Sequence, residues 1–365
     1  MDFQRNSNIS IALYDAKPYD VESFKAVNAA FGYHIEYFDF KLNSKTASTA
    51  KGYDVVCAFV NDKIDEKTAQ QLVEQGTKLI AMRCAGYNNL DLNALWEKIP
   101  VVRVPAYSPY SVAEHATALL LAVTRKIPQS YSRTHNGNFV LSGLTGRDLH
   151  GLTAGIVGTG KIGRVLGDIL SGFGMKIVAY DPFPNEAWAK ERNVTYMSID
   201  ELFTVSDVMS LHCPLTKETF HIVDEKALTL MKDDAVIINT GRGALIDTPA
   251  LVQALKDKKI GGAALDVYEE EDDYFFEDWS GEIIQDDTLS RLLSFPNVIV
   301  TSHQAFLTSN ALQSIAETTL QNITDFYDHK PLQNEICYRC GQQPGQCSKA
   351  LTGRCFFQDL KNAGN

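Results

Sequence analysis

Positive charge is what this chain has least of: 34 lysines and arginines face 45 aspartates and glutamates, a formal net charge of −11 over 365 residues. Nucleic acid and anionic membrane surfaces both call for clustered cations, so the balance argues against either partner. Any anionic ligand has to be met by a few placed side chains. Long apolar runs are missing as well. The opening MDFQRNSNISIALYD has no basic segment leading into an apolar stretch, and no later segment has the apolar length that spans a bilayer. The expected location is therefore the cytoplasm. There is no repeat at a solenoid period and no low-complexity linker. Nor do cysteines frame the chain, since Cys57, Cys84 and Cys213 stand singly among apolar residues, as reduced core thiols do.

What is present is an alternation of strand and helix patterns. With 45% hydrophobic and 22% charged residues the composition is that of a soluble globular protein, and the length suits about two domains. ISIALYD (Ile9–Asp15), HIEYFDF, DVVCAFV and KLIAMRCAG (Lys78–Gly86) read as strands, with helices near Val21–Phe31 and Glu66–Gln75 between them. A long helix follows in SVAEHATALLLAVTRKI, where Ser111 and Glu114 have capping-box spacing and Leu119, Leu120 and Val123 form an apolar stripe. A second series then opens with TAGIVG and continues through MKIVAYD, DVMSLHCP, AVIINTGRG, GGAALDVYEEE and NVIVTSHQAF. The helix SNALQSIAETTLQNITDFY closes it and suits a return to the first domain. Such alternation implies parallel sheets covered by helices on both faces. A nucleotide domain inserted into a first domain would leave a cleft at the carboxyl ends of the strands.

The nucleotide reading rests on VGTGKIG. Gly158, Gly160 and Gly163 follow a strand and open a helix, and the next strand ends in Asp181, 18 residues after the third glycine. Gly158 allows a tight turn, Gly160 lets the backbone approach a pyrophosphate, and Gly163 lets the helix pack close. Asp181 would accept hydrogen bonds from the ribose hydroxyls and repel a 2′-phosphate, selecting NAD over NADP. The competing account is a glycine-rich turn beside a surface aspartate.

In order, GLTAGIVGTGKIG, LHCPLT, INTGRGALID, LDVYEEE and TSHQAF resemble the D-isomer-specific 2-hydroxyacid dehydrogenase family. RCAGYNNLD (Arg83–Asp91), VPAYSPYSVAEHA (Val104–Ala116) and FFEDWS (Phe275–Ser280) bring the likeness closest to its fermentative D-lactate branch. The similarity runs from about Ile9 to Glu335. It implies an α/β fold of two doubly wound parallel-sheet domains. A Rossmann NAD-binding domain over 109–303 would be inserted into a flavodoxin-like substrate (catalytic) domain of 1–108 and 304–335, with a Cys-rich tail over 336–365.

The implied activity is an NADH-dependent, reversible reduction of pyruvate to D-lactate. By position, Arg242 would meet the substrate carboxylate and keto oxygen, His303 would be the general acid and base, and Glu271 would hold the imidazole by hydrogen bond. Glu271 belongs to a run with Glu269 and Glu270, which could equally be a solvated acidic face. The backbone at Ala85 and Gly86, with Tyr107, would complete carboxylate recognition. Phe306 and Phe59 would enclose a small methyl group or simply belong to the core. Cofactor contacts besides the loop would be Lys161, Ile162, Cys213 and Pro214 near the adenosine, Thr240 near the nicotinamide ribose, and Asp266 at the carboxamide. Position 241 departs from the pattern, being glycine where the family more often has serine or alanine.

Two other readings stand beside this one: a relative acting on a larger 2-keto acid, and a non-enzymatic NAD-sensing corepressor or scaffold of the same fold. Retention of Arg242, Glu271 and His303 together favours the enzyme. A small-molecule substrate and a homo-oligomer, dimer or tetramer, are the expected partners, with the long helix at Ser111 as a candidate surface. The cysteines at 337, 340, 347 and 355 open with CxxC spacing and form either a soft-metal clip outside the catalytic fold or a flexible tail of reduced thiols.

Overall fold

The structure, a computed structural model, describes residues 8–338 and 346–356. It divides into two compact units: one holds residues 109–307, and the other is built from the chain before and after that segment. The latter, here the first unit, carries five parallel strands, β1 (Ser10–Leu13), β2 (His34–Tyr37), β3 (Val55–Ala58), β4 (Leu79–Met82) and β5 (Val101–Val102), in the order β2-β1-β3-β4-β5. This is the doubly wound order of flavodoxin type. The central strands β3 and β4 are buried along their whole length, which is why VVCA and LIAM show no polar alternation. Edge strand β2, HIEY, is only partly covered and does alternate. The helix Pro18–Asn28 begins with proline, whose missing amide proton costs nothing in a first turn, and packs against the helix Ser309–Tyr327.

The second unit has seven parallel strands: β6 (Thr153–Val157), β7 (Lys176–Tyr180), β8 (Thr195–Tyr196), β9 (Val208–Leu211), β10 (Val236–Asn239), β11 (Gly262–Leu265) and β12 (Val298–Val300). Their order is β12-β11-β10-β9-β6-β7-β8. The chain reverses direction across the sheet between β6 and β9, a Rossmann arrangement with one strand added. Each face has its own core. On β10, Ile237 joins the cluster with Met209, Leu211 and Leu251, while Val236 and Ile238 join the cluster with Ala154, Ile156 and Leu166 on the other side. That is the two-residue period of a strand buried on both faces. The two-residue strands β5 and β8 are too short to show a period, and both lie at sheet edges.

The helix expected from Ser111 starts earlier, at Pro109, so Ser111 lies inside the first turn and is buried. The helix packs against Lys161–Gly172 and against β10 and β11, with Ala113, Ala116, Leu119 and Leu120 in the core. One face of the helix is thus spent on the interior, while Tyr110, Glu114 and Ala118 remain exposed.

The cysteine-rich end also differs from a free tail. The Tyr338 hydroxyl accepts the Val101 amide at 2.7 Å, and its ring meets Trp96 and Phe356 at 5.3 and 5.6 Å between centroids. Arg354 is buried, donates to the carbonyls of Phe326 (3.0 Å) and Lys330 (3.1 Å), and lies over the Phe326 ring. It thereby caps the carboxyl end of the helix Ser309–Tyr327, where carbonyls lack partners within the helix. Cys337, Cys347 and Cys355 are free thiols, and among the described residues no three His, Cys, Asp or Glu side chains gather as a metal site requires. Cys340, which a clip would need, lies outside the described residues.

Arg354→Ala is expected to lower the unfolding free energy by about 1.5–3 kcal/mol, the worth of hydrogen bonds from a charged donor. Urea denaturation checks this; an unchanged midpoint would show that the docked end adds nothing to the first unit.

Candidate active site

In the second unit the candidate residues all follow the carboxyl ends of strands, where ligands bind in sheets of this kind. After β6, Gly158 takes φ +92°, and a Cβ there would lie 2.7 Å from the Cys213 amide nitrogen and 2.8 Å from the His212 carbonyl. The turn after β6 therefore sits directly on the turn after β9, at the point where the strand order reverses. Gly163 is equally constrained, since its Cβ would come 2.1 Å from the Gly158 oxygen. Gly160 is different: a Cβ would meet nothing within 4 Å, and as the N-cap of the helix Lys161–Gly172 it offers no side-chain cap to the first amides. Open space over uncapped amides suits a pyrophosphate. Lys161 and Ile162 form the first turn, exposed and half-buried respectively, with Cys213 half-buried and Pro214 exposed across from them. Burial pushes the Cys213 thiol up to about 11, so it is a packing group and not a nucleophile.

Asp181 ends β7 and turns back onto this loop. Its Oδ2 accepts the Thr159 amide (2.6 Å) and hydroxyl (2.9 Å), and its Oδ1 accepts the Phe183 amide (2.8 Å). Thr159, unremarked in the sequence, thus ties the acidic residue to the glycine turn. Buried Thr240, after β10, has a hydroxyl oxygen with no hydrogen-bond partner, an orphan that a ribose hydroxyl could satisfy. The uncapped helix, the open Gly160 and this orphan oxygen together fit a dinucleotide.

Arg242 is presented by a turn that Asn239 builds. The Asn239 side chain accepts the Gly241 amide at 3.0 Å and donates to the Arg242 carbonyl at 2.8 Å, and Arg242 Nη1 donates to the Gly241 carbonyl at 2.7 Å. An asparagine two residues before a glycine is a turn signal that sequence could have supplied. On the far side, a Cβ on Gly243 would fall 2.1 Å from the Tyr268 carbonyl, so the Arg242 turn is pressed against the chain leaving β11. Gly241 carries no such demand: its Cβ would sit at 3.5 Å from its nearest neighbours, an ordinary contact.

The run of three glutamates is sorted by the fold. Glu271 Oε1 lies 2.7 Å from His303 Nδ1, and its Oε2 accepts the Tyr268 amide at 2.9 Å. Glu269 instead lies 2.6 Å from His221 Nε2, and Glu270 is exposed. His303 itself has φ +52°, a left-handed backbone that is uncommon for a residue with a side chain. Asp266 holds it there. Its carbonyl accepts the His303 amide (2.7 Å), while its carboxylate accepts the amides of Gln304 (2.9 Å) and Ala305 (2.8 Å) and the Thr301 hydroxyl. Asp266 is 0% exposed. Burial alone would raise its carboxyl, but hydrogen bonds from His115, Thr301, Ala305 and Gln304 outweigh burial and hold it below the ordinary 3.8. Its first role is therefore to build the loop that carries His303. Phe306, just beyond this loop, is buried.

His115, which in sequence is an unremarkable helix-face residue, lies 3.3 Å from Asp266 Oδ1 and 3.1 Å from Thr301 Oγ1. No local signal marks this contact, because its partners are more than 150 residues away in the chain.

In the first unit, Ala85 and Gly86 follow β4, with the Ala85 carbonyl taking a 2.6 Å hydrogen bond from Arg103 and the Gly86 carbonyl one from the Cys84 thiol. Tyr107 is half-buried. Phe59 is buried and lies under the Arg83 guanidinium, 4.7 Å from ring centre to charge. Arg83, 1% exposed, donates to the Asp15 carbonyl (2.8 Å) and pairs with Asp20 (3.4 Å). The residue that opens RCAGYNNLD is thus a buried structural cation of this unit.

A family model described as D-isomer specific 2-hydroxyacid dehydrogenase, NAD binding domain, matches residues 117–305. Along 329 residues, 90% of this chain and 100% of the other, the sequence is 49% identical to D-lactate dehydrogenase of Escherichia coli K12. The apo-structure of the Escherichia coli D-lactate dehydrogenase superposes with a TM-score of 0.83 at 47% identity, covering 90% of this chain and 100% of that one. The NAD-complexed D-isomer specific 2-hydroxyacid dehydrogenase from Lactobacillus delbrueckii ssp. bulgaricus does so with a TM-score of 0.77 at 31% identity, again over 90% and 100%.

The two glycines flanking Arg242 should respond in opposite ways. Gly241→Ala, which meets no clash, should raise stability by about 0.4–1 kcal/mol through the unfolded chain, whereas Gly243→Ala should cost about 1–3 kcal/mol by overpacking and lose activity. Denaturation midpoints of the two variants decide it; equal effects would mean that the contact with Tyr268 does not shape the turn. The Asp266 carboxyl is lowered on folding, so the stability it contributes is present above the ordinary 3.8 and lost as pH falls through the lowered value. Asp266→Asn should accordingly be less stable than the parent at pH 7 and converge on it in acid; a constant gap across that pH series would contradict the assignment.

Proposed function

The chain belongs to the D-isomer-specific 2-hydroxyacid dehydrogenases, and on that premise we propose that it reduces pyruvate to D-lactate with NADH, reversibly. The observation that carries this reading is the His303–Glu271 pair at 2.7 Å, set beside the glycine-flanked Arg242 turn at the strand ends of an NAD-binding domain. When bound, the dinucleotide supplies the hydride; the remaining work falls to side chains of this chain. Gly158 to Gly163 and the helix behind them hold the pyrophosphate, Asp181 meets the ribose hydroxyls, and Thr240 meets the second ribose. Cys213 and Pro214 pack near the adenosine, and Asp266 acts chiefly by fixing the loop of His303.

Arg242 offers a planar fork of donors to the keto acid, gripping its carboxylate and polarising its keto oxygen. Because His303 Nδ1 is tied to the Glu271 carboxylate, Nδ1 carries a proton, and Nε2 is the nitrogen that gives a proton to the oxygen as negative charge develops on it. In the reverse direction the same nitrogen takes the proton from the hydroxyl. Glu271 is itself oriented by the Tyr268 amide, so the carboxylate that aims the imidazole is held in place in turn. Phe306 borders the space for the methyl group. From the first unit, the amides at Ala85 and Gly86 and the Tyr107 side chain are proposed to complete recognition of the carboxylate.

A homo-oligomer is also part of this reading. Tyr131, Phe139, Val140 and Leu141 of the second unit are each at least 60% exposed, an apolar group of the kind that partner surfaces cover. Among the described residues no helix is long and apolar enough to cross a membrane, and a fermentative role in the cytoplasm agrees with that.

Adding pyruvate to enzyme and NADH should make the nicotinamide absorbance fall, and a turnover series of 2-keto acids fixes the preferred acyl group. His303→Gln should lower kcat by about 10²–10⁴ with little change in NADH affinity, whereas Arg242→Lys should raise KM and lower kcat together. Near-parental turnover by His303→Gln would remove it from the mechanism. Replacing Asp181 by a neutral residue should narrow the preference for NADH over NADPH, and equal use of both cofactors by the parent would refute its role.

A further inference from the structure

We infer that His115 is a positioning residue for the proton-transfer step, acting through Asp266 on the loop that carries His303. This rests on the reductase reading above. Asp266 is the hub of that loop: four of its hydrogen bonds come from Thr301, His303, Gln304 and Ala305, and together they keep His303 at φ +52°. A buried carboxylate keeps its charge only if charge-assisted donors surround it. Three donors to the carboxylate, Thr301, Gln304 and Ala305, belong to the loop itself; among the described residues the one from outside the loop is His115, on the helix Pro109–Thr124.

The proton inventory assigns the tautomer. Thr301 gives its hydroxyl proton to Asp266, which leaves lone pairs on the threonine oxygen, and the carboxylate offers only lone pairs. His115 Nε2 faces both oxygens, at 3.1 and 3.3 Å, and therefore carries the hydrogen. The helix that bears it is seated in the core by Ala113, Ala116, Leu119 and Leu120, so this donor is held by a rigid element and not by the loop. Remove it, and Asp266 keeps only ligands that move with the loop it has to fasten. The left-handed backbone at His303 then relaxes more readily, and the imidazole loses its aim.

The variants are His115→Leu, which fills the space without a donor, and His115→Gln, whose amide nitrogen reaches roughly where Nε2 stands. For the full-length protein, amide hydrogen exchange of 301–307 is followed by mass spectrometry, alongside kcat, KM for pyruvate, NADH affinity by fluorescence titration and the thermal midpoint. In His115→Leu, exchange in 301–307 should quicken and kcat fall roughly tenfold or more, the worth of one hydrogen bond to a charged group, with NADH affinity retained. His115→Gln should recover much of both. A merely structural role would instead raise exchange throughout the second unit, lower the thermal midpoint and show no rescue, and that result overturns the inference. So do unchanged exchange and kcat in His115→Leu. A parent enzyme that oxidises NADH with no 2-keto acid would overturn the reductase reading and this inference with it, whereas an active parent with an indifferent His115→Leu overturns only the latter.

Discussion

A wholly buried carboxylate, that of Asp266 at the end of β11, sets the position of the groups on which the second unit's chemistry depends. Burying a charge is costly unless donors converge on it, and here the donors are drawn from the loop after β12 and from the helix Pro109–Thr124. The requirement to satisfy Asp266 thus folds the His303 loop into one conformation, including a backbone angle that His303 would not choose alone. Electrostatics supplies the force, and the resulting geometry lets Glu271 reach the imidazole.

Steric closeness does the corresponding work at the nucleotide end and at Arg242. Gly158, Gly163 and Gly243 each stand where a single Cβ would collide with backbone, so two pairs of neighbouring turns can touch and the helix Lys161–Gly172 can close onto its own glycine turn. The chain of contacts is continuous: Gly243 presses on Tyr268, the Tyr268 amide orients Glu271, and Glu271 orients His303. Arg242 and His303 come from different strands, yet their placement shares this one stretch after β11.

The first unit solves a different problem with similar means. Arg83 lies buried among Asp15, Asp20 and Asp62; burial alone would lower its affinity for a proton, and Asp20 ahead of the others reverses that. Asp62 accepts the amides of Phe59 and Leu42, both at 2.6 Å, yet burial still pushes its carboxyl up to about 7 against the pull of Arg83. The loops after β1, β3 and β4 are thereby gathered around one cation, which steadies the stretch that leads into Ala85 and Gly86.

Local patterns in the sequence determined the alternation of strands and helices, the glycine turn after β6, the acidic residue ending β7 and, through ordered motifs, the family. These were legible because each depends on residues within a turn or two of one another: a period of two, a glycine at fixed spacing, an aspartate at a strand end. Asn239 was equally local, opening NTGRG, and was readable as a turn former. Family position already singled out Glu271 from its run, but only the tertiary structure put its carboxylate against His303 and turned Glu269 to His221, since three adjacent acids differ solely in the direction the chain gives them. It alone set His115 against Asp266, turned one face of the helix Pro109–Thr124 into the core, and docked Arg354 onto the end of the helix Ser309–Tyr327. Each of these depends on a contact between segments far apart in sequence, and no short-range pattern encodes where a distant strand end will put its side chain.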